Sequence, residues 1–126
     1  MNSKSTLALA AIVGALAVAL GAFGAHALKP MLVAAGKLET YQTAVAYQFY
    51  HVFALLATGI LQRTNSINTL SNAAVCFGIG ILLFSGSLYL ICFISIPYLG
   101  MVTTFGGILF IVGWIMLLVG VLKKQA

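Results

Sequence analysis

An all-α integral membrane protein, a four-helix bundle with both termini on the cytoplasmic side, is what this sequence predicts. Composition is the first reason. Of 126 residues, 63% are apolar and 6% are charged, whereas a water-soluble domain is about one-quarter charged. Seven Lys, Arg and Glu side chains do not coat a soluble surface, so the surrounding solvent is lipid. The placement of charge is the second. Lys4 and Lys29 enclose 24 uncharged residues, Glu39 and Arg63 enclose 23, and Arg63 and Lys123 enclose 59. The third is pattern. The runs are continuously apolar rather than alternating, and backbone groups in lipid must be satisfied within their own segment, which selects α-helix.

A crossing needs about 20 residues, so the first two runs supply one span each, near 7–28 and 43–61. The third run would reach roughly 89 Å as one helix and has to fold back. SIPYLG, residues 95–100, is its one turn-like interruption. Pro97 removes a donor and Gly100 permits a tight bend, giving spans near 73–93 and 101–122. The whole chain, 1–126, is then one domain. The connection 29–39 predicts a short interfacial helix starting after Pro30. The connection 62–72 is a polar loop, with Asn68 or Ser71 as the expected cap of the following helix. Lys4, the apolar run and Ala25-His26-Ala27 resemble a leader with a cleavage site. The run exceeds the usual apolar length of about 7–15 residues, so a span is expected instead.

Basic residues orient the spans. Lys4, Arg63, Lys123 and Lys124 fall on one side, Lys29 and Lys37 on the other. Positive charge favours the cytoplasm, so both termini are expected there. The net charge of +5 is small and scattered and suits anionic headgroups; no nucleic-acid partner is expected. Cys76 and Cys92 lie roughly 24 Å apart if on one helix, too far for a bridge.

Lipid tails are as apolar as leucine, so close approach through small residues drives helix association. In the first helix Ala10, Gly14, Ala17, Gly21 and Gly24 share one face, and Ala11, Ala15, Ala19, Ala22 and His26 a neighbouring one. That predicts a central helix with neighbours on both sides. Gly106, Gly113 and Gly120 repeat every seven residues and predict a close seam. Trp114 lies mid-span, and its indole N–H needs a partner if buried.

ETYQTAVAYQFYH, residues 39–51, gathers the polar chemistry. At 100° per residue, Thr40, Thr43, Tyr47, His51, Ala54 and Thr58 share a face, with Gln48 on its flank. Tyr47 and His51, at i and i+4, are placed to touch. In hydrocarbon such a stripe turns inward. With His26, Ser85 and Ser87, these residues form either a helix–helix network or a small binding or proton-handling site. Haem ligation by His26 and His51 fails on depth, since His51 lies roughly 12 Å inside its span. No metal site, cofactor, phosphate loop or hydrolytic set is expected, and the sole carboxylate, Glu39, excludes a carboxylate pair.

GAFGAHALK at 21–29, TYQTAVAYQFYH at 40–51, LFSGSLYL at 83–90 and FGGILFIVGW at 105–114 resemble the four hallmark blocks of a bacterial membrane family. It is the family of domain of unknown function 423, also called UPF0382, which is similar to a vertebrate family of small transmembrane proteins. The residues carrying the resemblance are Gly21, Gly24, His26, Tyr47, Gln48, His51, Ser85, Gly86, Ser87, Gly107, Gly113 and Trp114. One departure is ISIPYLGMVTTFGG, which lacks a TPxGG spelling. The resemblance implies a four-helix inner-membrane protein and implies no activity. The reading from sequence is therefore a non-enzymatic structural or interaction role, with membrane lipids and either further copies of the chain or another membrane protein as partners. Two alternatives stand beside it: a small transporter or channel using the Tyr47–His51 stripe, and a lipid- or quinone-binding accessory subunit.

Overall fold

The computed structural model describes residues 1–123 and contains five helices: α1 (Ser3–Ala25), α2 (Lys29–Ala34), α3 (Leu38–Thr64), α4 (Asn68–Phe93) and α5 (Leu99–Leu122). All but α2 are long and apolar enough to cross a membrane. Each begins or ends a few residues beyond the apolar run that marks it. A helix satisfies its own backbone and so continues past the hydrocarbon edge. At 27 residues, α3 is roughly 40 Å long, against a core of about 30 Å.

Helix ends follow local chemistry. Asn2 caps α1 by accepting from the Ser5 N–H at 2.9 Å, and Ser5 Oγ returns the bond to the Asn2 N–H at 3.2 Å, a capping box. Pro30 lies in the first turn of α2, where its missing N–H is harmless. Gly36, at φ 65°, ends it: the Lys37 N–H reaches Leu32 O and the Gly36 N–H reaches Val33 O, a Schellman closure. Two expectations fail here. Neither Asn68 nor Ser71 caps α4: Ile67 holds the cap position with no side-chain bond, while the Ser71 hydroxyl accepts from the Met1 ammonium. The sharp bend before α5 falls on Tyr98, at φ 71°, not on Gly100, which is already helical. Pro97 pushes its predecessor towards extended backbone, and the chain turns one residue later.

The spanning helices pack in sequence, with α3 between α1 and α4, and α5 on the far side of α4. Met1 and Lys123, the first and last described residues, lie at one end. There the Gln62 side-chain N–H donates to Met1 O at 3.0 Å and the Lys123 ammonium to Thr69 Oγ1 at 3.1 Å. Lys124 lies outside the described residues. The main core collects Ala10, Leu55, Leu70, Phe77 and Phe110. A second cluster of Leu32, Tyr41 and Cys92 anchors α2 at the opposite end. Cys76 and Cys92 share α4 and are both free thiols.

Contrary to expectation, α1 is not central. It buries one stripe, Thr6, Ala10, Ala17 and Gly24, against α3. Gly14 and Gly21 sit beside it, over Val52 and Val45. Ala11, Ala15, Ala19 and Ala22 are exposed. In lipid an alanine face is content beside acyl chains, so small residues alone do not force a second neighbour.

The glycine seam forms as the spacing predicts. Gly106 lies against the backbone of Phe84, Gly113 against the Phe77 ring and Gly120 against Leu70. Each step of seven along α5 is answered by a step of seven back along α4. Phe110, between the first two, inserts over Gly80. Glycines on one helix receive large side chains from the other, which lets two backbones approach closely.

Candidate functional site

The stripe on α3 does turn inward, but unevenly. His51 and Thr58 are buried, Thr43 is half-buried, and Tyr47 keeps 40% of its surface exposed. Thr58 answers its own need by donating to Ala54 O, one turn back, at 2.7 Å, as hydroxyls in membrane helices do. Gln48, on the flank, is 3% exposed and links three helices. Its Nε2 donates to Val13 O of α1 at 2.9 Å, and its Oε1 accepts from the Tyr89 hydroxyl of α4 at 2.7 Å.

His51 has both ring nitrogens engaged. Nδ1 lies 2.7 Å from Tyr47 O; a carbonyl only accepts, so Nδ1 carries a proton. Nε2 lies 3.2 Å from the Trp114 indole nitrogen; an indole N–H only donates, so Nε2 is bare. The two bonds together fix one neutral tautomer. The ring stacks on Phe110 with centroids 3.4 Å apart and planes 5° off parallel. Phe77 and Trp114 meet it at tilted and edge angles. Tyr47 and His51 stack at 6.3 Å, so the expected i, i+4 contact is present.

The serines also join helices. Ser85 Oγ donates to Ala44 O of α3 at 2.8 Å. The Ser87 hydroxyl meets that of Thr103 across the α4–α5 seam. Thr43 makes none of these interhelical bonds. His26 does not belong to the group. It is exposed at the C-terminal end of α1, near the level where Gly24 meets Tyr41. His51 lies ten residues beyond Tyr41 on α3, roughly 15 Å further along the bundle. An i, i+4 spacing on α1 put His26 on a small-residue face without fixing what that face meets. Among the described residues, no three His, Cys, Asp or Glu side chains gather as a metal site.

Three members of the network were absent from the sequence-predicted set: Tyr89, Thr103 and Trp114. Trp114 carried the clearest signal, an indole N–H at mid-span. Tyr89 stands in the LFSGSLYL block, but nothing in sequence pairs it with Gln48.

Beside the network, α3, α4 and α5 border a cleft of about 590 Å³, to which α4 contributes Phe84. Tyr47 and His51 form one wall, and Thr104, Gly107, Ile111 and Trp114 the other. It opens sideways towards lipid.

Four membrane-length helices, held by polar bonds from side chain to backbone and side chain to side chain, define a small multi-pass membrane protein. Its similarity to known chains agrees. The family described as "Protein of unknown function (DUF423)" matches residues 20–107. A UPF0382 membrane protein of Staphylococcus saprophyticus is 44% identical over 120 residues, covering 95% of this chain and 98% of that one. The UPF0382 membrane protein YwdK of Bacillus subtilis is 39% identical over 121 residues, covering 95% and 98%. The UPF0382 inner membrane protein YgdD of Escherichia coli K12 is 39% identical over 126 residues, covering 99% and 95%. The chain belongs to the DUF423, or UPF0382, family, the one its four sequence blocks resemble. No solved structure matches it. It is a multi-pass protein of the bacterial plasma membrane.

Proposed function

We propose that this protein is not an enzyme and serves a structural or interaction role in a membrane assembly. The observation that carries the reading is the state of His51 and Gln48. Every polar atom of these two side chains is bonded to another part of the chain, so neither is left to move a proton or hold a reactant. The single carboxylate, Glu39, is exposed in the first turn of α3, where the helix dipole favours a negative charge.

The test is cross-linking in native membranes with a photoreactive residue at Ala15, on the exposed side of α1. A product with a second copy or with another membrane protein is expected. Monomer alone at every cross-linker density would remove the reading.

The same proposal sets both termini in the cytoplasm. Lys4, Arg63 and Lys123 lie at the end that holds Met1, and Lys29 and Lys37 at the other. Basic flanks stay on the cytoplasmic side. A reporter fused after Ala126 that is active only outside the cytoplasm is expected to be silent; activity there would reverse the orientation.

A further inference from the structure

We propose that the cleft between α3 and α5 binds a flat, carbonyl-bearing ring on a hydrocarbon tail, the chemistry of a membrane quinone, with the Tyr47 hydroxyl donating to a ring carbonyl. This adds a ligand to the assembly role and does not rest on it.

Packing explains three of the five glycines of α5; Gly100, in the first turn, and Gly107, beside the cleft, have no such cause. A Cβ at 106, 113 or 120 would collide with α4. A Cβ at 107 would meet the Phe84 ring at 3.7 Å, an ordinary contact. Glycine inside a helix is about 1 kcal/mol worse than alanine, and at 107 no close approach offsets that. What the missing side chain does leave is the cleft.

The second observation is the Tyr47 hydroxyl. Tyr47 makes ring contacts with Phe84, Tyr50 and His51, and its hydroxyl bonds to nothing among the described residues. Tyr47 stands nine residues into α3, roughly 14 Å along the helix. With that helix centred on a core of about 30 Å, the residue is inside the hydrocarbon. An unpaired hydroxyl there is unfavourable, so a bound acceptor oxygen is stabilised. His51 does not compete for it, because its nitrogens are taken. The Thr103 and Thr104 hydroxyls donate to Leu99 O and Gly100 O at 3.2 and 3.0 Å.

The walls choose the shape. Tyr47, Phe84, Phe110 and Trp114 put four aromatic rings in the lining. Flat π faces favour a flat ring by offset stacking; a saturated acyl chain gains less from them. The volume falls within the range of about 300–1,000 Å³ usual for small-molecule sites. The opening towards lipid leaves the tail in the bilayer.

Trp114 is the chain's one tryptophan, so its fluorescence reports on this cleft. Full-length protein is reconstituted in vesicles of phosphatidylethanolamine and phosphatidylglycerol and titrated with decylubiquinone, beside a membrane-anchored tryptophan ester as the collisional reference. Saturable quenching is expected in the protein and linear quenching in the reference. Gly107→Leu, which fills the cleft, is expected to abolish the saturable part. Tyr47→Phe, which removes only the hydroxyl, is expected to weaken binding about tenfold, one hydrogen bond's worth. Linear quenching in the wild type overturns the proposal. So does a saturable part that Tyr47→Phe leaves unchanged, and this variant decides alone if Gly107→Leu does not fold. Saturation with acyl-brominated phospholipid but not with decylubiquinone assigns the cleft to a lipid tail and likewise sinks it.

Discussion

Gly106→Ala is expected to push α5 away from α4 and destabilise the protein by about 3 kcal/mol, the upper end of overpacking. An added methyl at 106 meets the backbone nitrogen and Cα of Phe84. A side chain in the way can rotate; a backbone in the way moves only with its helix. The neighbouring Gly107→Ala is the control, since its methyl lands at ordinary contact distance. It is expected to stabilise the protein by up to about 1 kcal/mol, the helix preference of alanine over glycine with no clash to oppose it. Titration of both variants with dodecyl sulfate in mixed micelles, followed by helicity, separates them. Equal midpoints for the two would show that the seam tolerates a wider spacing than its geometry indicates.

His51→Ala is expected to lose about 3 kcal/mol as well, by a different route. Removing the ring empties the space between Phe110, Phe77 and Trp114, and cavities left by large-to-alanine changes are worth roughly 2–5 kcal/mol. Hydrogen bonding contributes less. In membrane proteins an interhelical bond averages about 0.6 kcal/mol and reaches about 1.7 at most. His51→Phe, which keeps the volume and drops the acceptor, is therefore expected to lose only about 1 kcal/mol. The Trp114 emission should shift in both variants, because its indole loses the same partner. A His51→Phe loss as large as that of His51→Ala would mean that the bond, not the packing, holds the helices there.

How far the sequence reveals this arrangement depends on what lipid makes visible. Charge and hydropathy mark where the chain enters and leaves oil, so four crossings and the short helix at Pro30 are legible. Periodicity within one helix is legible too. The seven-residue glycine repeat and the Tyr47–His51 contact both follow from it. What one helix meets on another is not. Gln48 bonds to Val13 and Tyr89, and His51 to Trp114, across 35 to 63 residues of chain. The inward face of a soluble helix is betrayed by contrast with a polar outer face. Here alanine suits lipid and protein alike, so α1 reads the same at an edge as at a centre. His26 is misplaced by the same ambiguity.

The order of synthesis gives the network a consequence for assembly. The ribosome delivers α1 and α3 well before α5, the helix that supplies Trp114. Until α4 and α5 insert, Gln48 Oε1 lacks the Tyr89 hydroxyl and His51 Nε2 lacks the indole. The nascent first half thus sits in the bilayer with two acceptors waiting for donors that have yet to be translated, and the late-arriving hairpin satisfies both.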